Sequence, residues 1–135
     1  MAGYSSAPLA KKLGIKDDLR VLLIGAPKGF QETLDGLPDS AKVTSRPGRE
    51  HDIIILFAKD AAALHKAFDA ARARLEQSGG LWVAWPKKSS GIKTDLTENM
   101  VRDLALAAGL VDNKVCAIDE TWSGLRLVVR LKDRT

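Results

Sequence analysis

The sequence has a single cysteine, Cys116. One thiol cannot close an internal bridge, which excludes a disulfide-stapled scaffold and suits a reducing compartment. No run approaches the ~18 consecutive apolar residues of a membrane span. The opening MAGYSSAPLAKKLGIK lacks the apolar stretch of a secretory signal, so the expected location is the cytoplasm. Neither sign of charge dominates: 21 Lys plus Arg against 17 Asp plus Glu leave +4, too mild to imply nucleic acid by itself. Repeats and low-complexity segments are absent, and the apolar runs exclude an unfolded chain. The two histidines, His51 and His65, stand apart without cysteine partners and give no metal-ligand spacing. Neither a GxxxxGK[ST] phosphate loop nor a nucleophile elbow occurs. At 135 residues one domain is expected, because chains usually divide only well above ~200 residues. The expected division is an arm over 1–19, with a short helix over 9–13 started after Pro8, and one α/β domain over 20–135.

Hydrophobic patterning supplies the elements. RVLLIG, at 20–25, is apolar without alternation and ends in glycine, which predicts a strand buried on both faces. A turn, GAPKGF, leads to a weak helix over 30–37, and KVTSR at 42–46 reads as a short strand near a sheet edge. DIIILF at 52–57 is the strongest strand signal, central and parallel. Asp60 is placed to cap a helix running to about Gln77, with Leu64, Ala67, Phe68, Ala71 and Leu75 on one face and Gly79-Gly80 as its stop. LWVAW at 81–85 follows as a buried strand, with Trp82 and Trp85 on opposite faces and Trp85–Pro86 as a candidate cis bond. After a ten-residue loop, Asp95-x-x-Glu98 has capping-box spacing, and Leu96, Met100, Val101, Leu104 and Ala108 form the stripe of a helix ended by Gly109. VCAI at 115–118, the turn DETWSG, and an alternating strand over 125–131 close the chain; Cys116 reads as a buried, inert thiol.

Strands separated by helices imply right-handed parallel crossovers, and the last two strands imply a hairpin. The expected fold is α/β: a Rossmann-like three-layer sandwich with a mostly parallel sheet of about six strands ending in an antiparallel C-terminal hairpin. LGIKDDLRVLLIG, DIIILF, and the closing GGLWVAWP–helix–hairpin together resemble, in reduced form, the class I S-adenosylmethionine-dependent methyltransferase fold from Leu13 onward. AGYSSAPLAKKLGI, WVAWPKK, DLTE and GLVDNKVCAIDETWSGLR are similar, over nearly the whole length, to a bacterial family of small single-domain proteins of unknown function. The methyltransferase resemblance implies a glycine loop around the cofactor's methionine part and a carboxylate after the second strand for the ribose hydroxyls. This chain departs at both places. Its loop is Gly25-Ala26-Pro27-Lys28-Gly29, in which Pro27 has no N–H to offer. The second position holds Ser45-Arg46-Pro47, with Glu50 the nearest acid.

In an open parallel sheet the loops leaving the strands' carboxyl ends share one edge, where ligands bind. Lys28, Lys87, Lys88, Ser89, Ser90, Asp119, Glu120 and Trp122 are expected there. Lys87-Lys88-Ser89-Ser90-Gly91 offers ammonium groups and hydroxyls to an anion, or is simply a solvated loop. Asp119 and Glu120 point oppositely if extended, so only one would face a cleft. Trp122 would stack on a flat ligand or plug the hairpin turn. No residue is assigned a catalytic or metal-binding role, and no cofactor is identified. The leading expectation is a module, not a conventional enzyme, that takes a small anionic or nucleotide-like ligand at this edge. The alternatives are an S-adenosylmethionine-dependent methyltransferase with a degenerate glycine loop, and a protein or nucleic-acid adaptor that has lost ligand binding. Helices of mixed charge argue against a nucleic-acid partner.

Overall fold

A computed structural model of the protein describes residues 8–134. Six strands form one sheet in the order β2-β1-β3-β4-β6-β5: β1 (Arg20–Ile24), β2 (Lys42–Thr44), β3 (His51–Phe57), β4 (Leu75–Pro86), β5 (Leu110–Ala117) and β6 (Trp122–Val129). β1 pairs parallel with β2 and β3, and β3 pairs parallel with β4. β6 is antiparallel to both β4 and β5, so the other five strands share one direction. This is the expected mostly parallel sheet with an antiparallel C-terminal hairpin. The chain moves outward from β1 to β2, then crosses back to place β3 on the other side of β1. The order therefore reverses between β1 and β3.

Helices cover both faces, and the strands' alternation feeds two cores. Leu22, Ile54, Leu56, Leu81, Val83 and Leu127 pack beneath α3 (Ala61–Ala73) and α4 (Glu98–Ala107), which contribute Leu64, Phe68, Ala71, Val101 and Ala105. Val21, Leu23, Ile53, Ile55, Phe57 and Trp82 face the other way, toward α1 (Leu9–Lys12) and α2 (Phe30–Thr33). Strands apolar on both sides are what helices on both faces require. Trp82 and Trp85 fall in opposite cores. Trp82 is fully buried, and its Nε1 donates to the Leu13 carbonyl at 3.0 Å, tying the N-terminal segment to the sheet's centre.

Several local expectations need correction. α3 ends at Ala73 rather than near Gln77, and Leu75 already belongs to β4. The segment from Leu75 pairs with His51 of β3 across a register shift; tertiary pairing overrides the helical propensity of LEQ. α2 stops after one turn, and β6 ends at Val129, leaving Leu131 exposed in a short 3-10 turn. The cap of α4 is Thr97, whose hydroxyl accepts from Met100 N–H at 3.2 Å. Asp95 instead accepts from Ala61 N–H, at the start of α3. Asp60 does cap α3, accepting from Ala63 N–H. Among the described residues all peptide bonds are trans, Trp85–Pro86 included, and no helix is long and apolar enough to cross a membrane.

Candidate ligand-binding site

Among the described residues, two concavities lie at the carboxyl edge. The larger, about 650 Å³, lies at the reversal point between β1 and β3. Its floor is the end of β1 and the turn after it, Leu23 to Pro27 with Gly29 and Phe30. Ala67, Ala70 and Arg74 of the α3 segment and Ser45 and Pro47 form further walls. The turn owes its shape to glycine: Gly25 has φ +68 and Gly29 has φ +82, conformations that an L side chain enters at a cost. Gly25 also answers a close approach, because a Cβ there would stand 2.8 Å from the Phe57 carbonyl oxygen.

The gap beside α3 exists because residues 45–50 cross from β2 to β3 without a helix. β2 is only three residues long and ends level with Leu22, so a bare loop suffices to return to His51. Arg74 holds that loop by donating to the Gly48 carbonyl, and Gly48 N–H donates to His51 Nε2 at 2.8 Å. His51 is buried, 4% exposed, and its Nδ1 finds no partner among the described residues. Burial, and then Arg20 and Arg74, push its pKa below the ordinary imidazole value.

The second concavity, about 590 Å³, lies between the end of β4 and the start of α4. Lys87, Lys88, Thr94, Thr97, Asn99 and Ser123 line it, together with Glu98. Lys87 N–H donates to Thr121 O at 2.8 Å, so the lysine loop and the hairpin turn meet as the topology demands.

The expected site residues divide accordingly. Lys87 and Lys88 line the second concavity, whereas Lys28 stands exposed on the turn that floors the first. Ser90 Oγ donates to Lys87 O at 2.6 Å and accepts from Ile92 N–H, so its hydroxyl shapes its own loop; Ser89 is exposed. Asp119 Oδ1 accepts from the N–H groups of Thr121 and Trp122, both at 2.8 Å, and Glu120 is exposed. Trp122 is 5% exposed and packs edge-on against Phe57, with centroids 5.1 Å apart. It serves as the hairpin's apolar plug. Cys116 is partly buried, and burial pushes its thiol pKa up. Sequence reasoning missed the α3 wall. Ala67, Ala70 and Arg74 carried no ligand motif, and their only signal was a run of small residues along the helix.

The fold is that of the methyltransferase-like Rossmann proteins. It is similar to an S-adenosylmethionine-dependent methyltransferase from Aquifex aeolicus, at 16% identity and TM-score 0.62, over 90% of this chain and 88% of that one. A precorrin-6y C5,15-methyltransferase from Geobacter metallireducens matches at 10% identity and TM-score 0.60, over 90% and 86%. A ribosomal protein L11 methylase from Lactobacillus delbrueckii subsp. bulgaricus matches at 11% and 0.58, over 90% and 75%. At such identities the likeness is one of fold alone. No curated protein matches the sequence. Residues 29–131 match the family described as "Protein of unknown function (DUF3052)", and the chain belongs to that family.

Proposed function

We propose that the protein is a ligand-binding module which takes a small anionic or nucleotide-like molecule at the carboxyl edge of its sheet. The observation that carries this reading is the concavity at the reversal point. It is large enough for a nucleoside-sized ligand, has an apolar floor and backbone-lined turn, and includes Arg74 in its wall. Lys28 on the same turn, and Lys87 and Lys88 beside α4, are the cations assigned to the ligand's anionic part.

The methyltransferase cofactor fits this edge poorly. Pro27 lines the concavity and withholds an N–H. Beyond β2 stand Ser45, Arg46 and Pro47, and the carboxylate lining the hollow is Glu32, supplied by α2. The ribose hydroxyls would lack the partner the fold ordinarily gives them, and no methyl-transfer step follows from these residues.

Thermal-shift and calorimetric titration of the intact chain with nucleotides, S-adenosylmethionine and S-adenosylhomocysteine test the reading, since a ligand of the native state raises the melting temperature. Ala70→Trp, on an exposed helical position at the mouth, should abolish binding of the nucleotide that scores. Lys87→Ala combined with Lys88→Ala then reports whether the second concavity takes part. Micromolar S-adenosylmethionine binding would replace this reading with the methyltransferase one. Failure of every nucleotide would favour an adaptor.

A further inference from the structure

Arg126 has no counterpart in that site. It lies on β6, between β4 and the edge strand β5, paired with Trp82 and so on the face that carries α1. It is half-buried, yet among the described residues its side chain makes no hydrogen bond or ion pair. Charged groups taken out of water are normally paired, because desolvation otherwise goes uncompensated. Burial, with Arg134 as a second cause, pushes its pKa below the guanidinium's usual value. The register makes matters worse: Lys114 of β5 sits directly opposite Arg126, and like charges in that position destabilise a sheet.

The surroundings are shaped to keep the guanidinium where it is. A Cβ at Gly80 would stand 2.6 Å from Arg126 Cζ, so the glycine makes room for the arginine. Two hollows, about 210 and 300 Å³, share Arg126 and Gly14 as lining. Lys11, Lys12 and Lys114 line the first, and Lys16 the second. Lys114 Nζ donates to Lys12 O at 2.8 Å, and Lys12 Nζ to Ala117 O at 3.4 Å. Each ammonium thus spends one of its three donors on a carbonyl and keeps the others. The carboxylate among the lining residues is Asp52, and it is engaged: it accepts from Arg20 N–H at 2.8 Å and Arg20 Nε at 3.3 Å.

We propose that these two neighbouring hollows, which meet at Arg126 and Gly14, form a binding site for a small polyphosphate anion, of the di- or triphosphate class, held by Arg126, Lys114, Lys12 and Lys16. The guanidinium fork matches adjacent phosphate oxygens, and the ammonium groups act as point charges along an elongated anion. The cations line recesses rather than a ridge, which suits a small ligand over the broad backbone of a duplex. The site lies apart from the carboxyl edge and does not depend on the function proposed there.

Calorimetric titration of the intact chain with pyrophosphate and tripolyphosphate at low ionic strength tests the site. Tripolyphosphate should bind more tightly than pyrophosphate. Arg126→Gln and, separately, the exposed Lys114→Gln should each weaken binding at least about tenfold, the loss of one charge-assisted contact. Neither should lower the melting temperature of the unliganded chain, because each relieves the cross-strand repulsion. Lys66→Gln, at an exposed position on α3, should bind as the parent does. Absence of binding tighter than about millimolar overturns the proposal. So does equal loss in the Lys66→Gln control, or oligonucleotide binding with which pyrophosphate does not compete.

Discussion

Replacing Gly25 by alanine tests the turn that floors the larger concavity. Two separate costs meet there. Its φ of +68 charges an L residue about 1–2 kcal/mol, partly offset by about 0.4–1 kcal/mol from a less flexible unfolded chain. The new Cβ would also press to 2.8 Å on the Phe57 carbonyl oxygen. That oxygen cannot retreat easily. Phe57 pairs with Ala84 in the ladder, and its ring is wedged between Phe30, at 4.7 Å, and Trp122, at 5.1 Å. Overpacking of this kind costs about 1–3 kcal/mol, so the total expected is about 2–4 kcal/mol. Gly29 isolates the first cost: its φ is +82, but nothing lies within 4 Å of a Cβ placed there. Gly29→Ala should therefore cost no more than about 1.6 kcal/mol. Urea unfolding followed by circular dichroism compares the two, read as a fall in midpoint at unchanged slope. At this chain length the Gly25 variant should also melt roughly 6–12 °C lower. Equal losses for the two variants, or a Gly25→Ala loss of only a few tenths of a kcal/mol, would refute the argument that β1 and β3 are packed too closely there for a side chain.

Trp122→Ala should cost about 3–5 kcal/mol through an unfilled cavity and lost edge-on stacking; a well-folded variant of near-parental urea midpoint would return Trp122 to the ligand-contact role. His51 sets a pH dependence. Its folded pKa lies below the ordinary 6.5, so the unfolded chain takes the proton more readily; its stabilisation is complete above that value and drains as pH falls through it. The gap in urea midpoint between parent and His51→Gln should therefore narrow between about pH 7 and 5.5, a comparison that cancels the opposite drift of Glu76, raised by Glu50; a gap that widens on acidification contradicts the assignment.

The strands at 20–25 and 52–57 were legible because parallel, centrally placed strands must be apolar on both faces, and local composition records that requirement directly. The first half of β4 was not. Glu76, Gln77, Ser78, Gly79 and Gly80 have no strand pattern, and they are extended because β3 begins with His51 paired to Leu75. Asp95 and Thr97 are both competent caps; only the position of α3 decides that Asp95 serves Ala61 instead. At the edge, polarity alone brought Lys87 to Thr121. The α3 wall depends on which gap the 45–50 loop leaves open, and that follows from strand order, which no local pattern encodes. Arg126 alternates with Leu125 and Leu127, a pattern that by itself places it on a wet face; its half-burial follows from the N-terminal segment and the space left at Gly80, both far away in sequence.

The antiparallel insertion of β6 between β4 and β5 gives the two halves of the sheet different folding histories. β5 and β6 are joined by only the four residues 118–121, so their pairing closes a short loop at small entropic cost. β1 meets β3 only after the whole segment containing β2 has been gathered in, and such non-local parallel pairing is slow. The hairpin is positioned to form first and to present Leu125 and Leu127 as a template for β4. β4 then offers its other edge to β3, so assembly runs from the C-terminal half toward the N-terminal one. Pulse-labelled hydrogen exchange would record this as protection of the Leu125 and Leu127 amides before that of Ile54; the reverse order would place the nucleus in the parallel half.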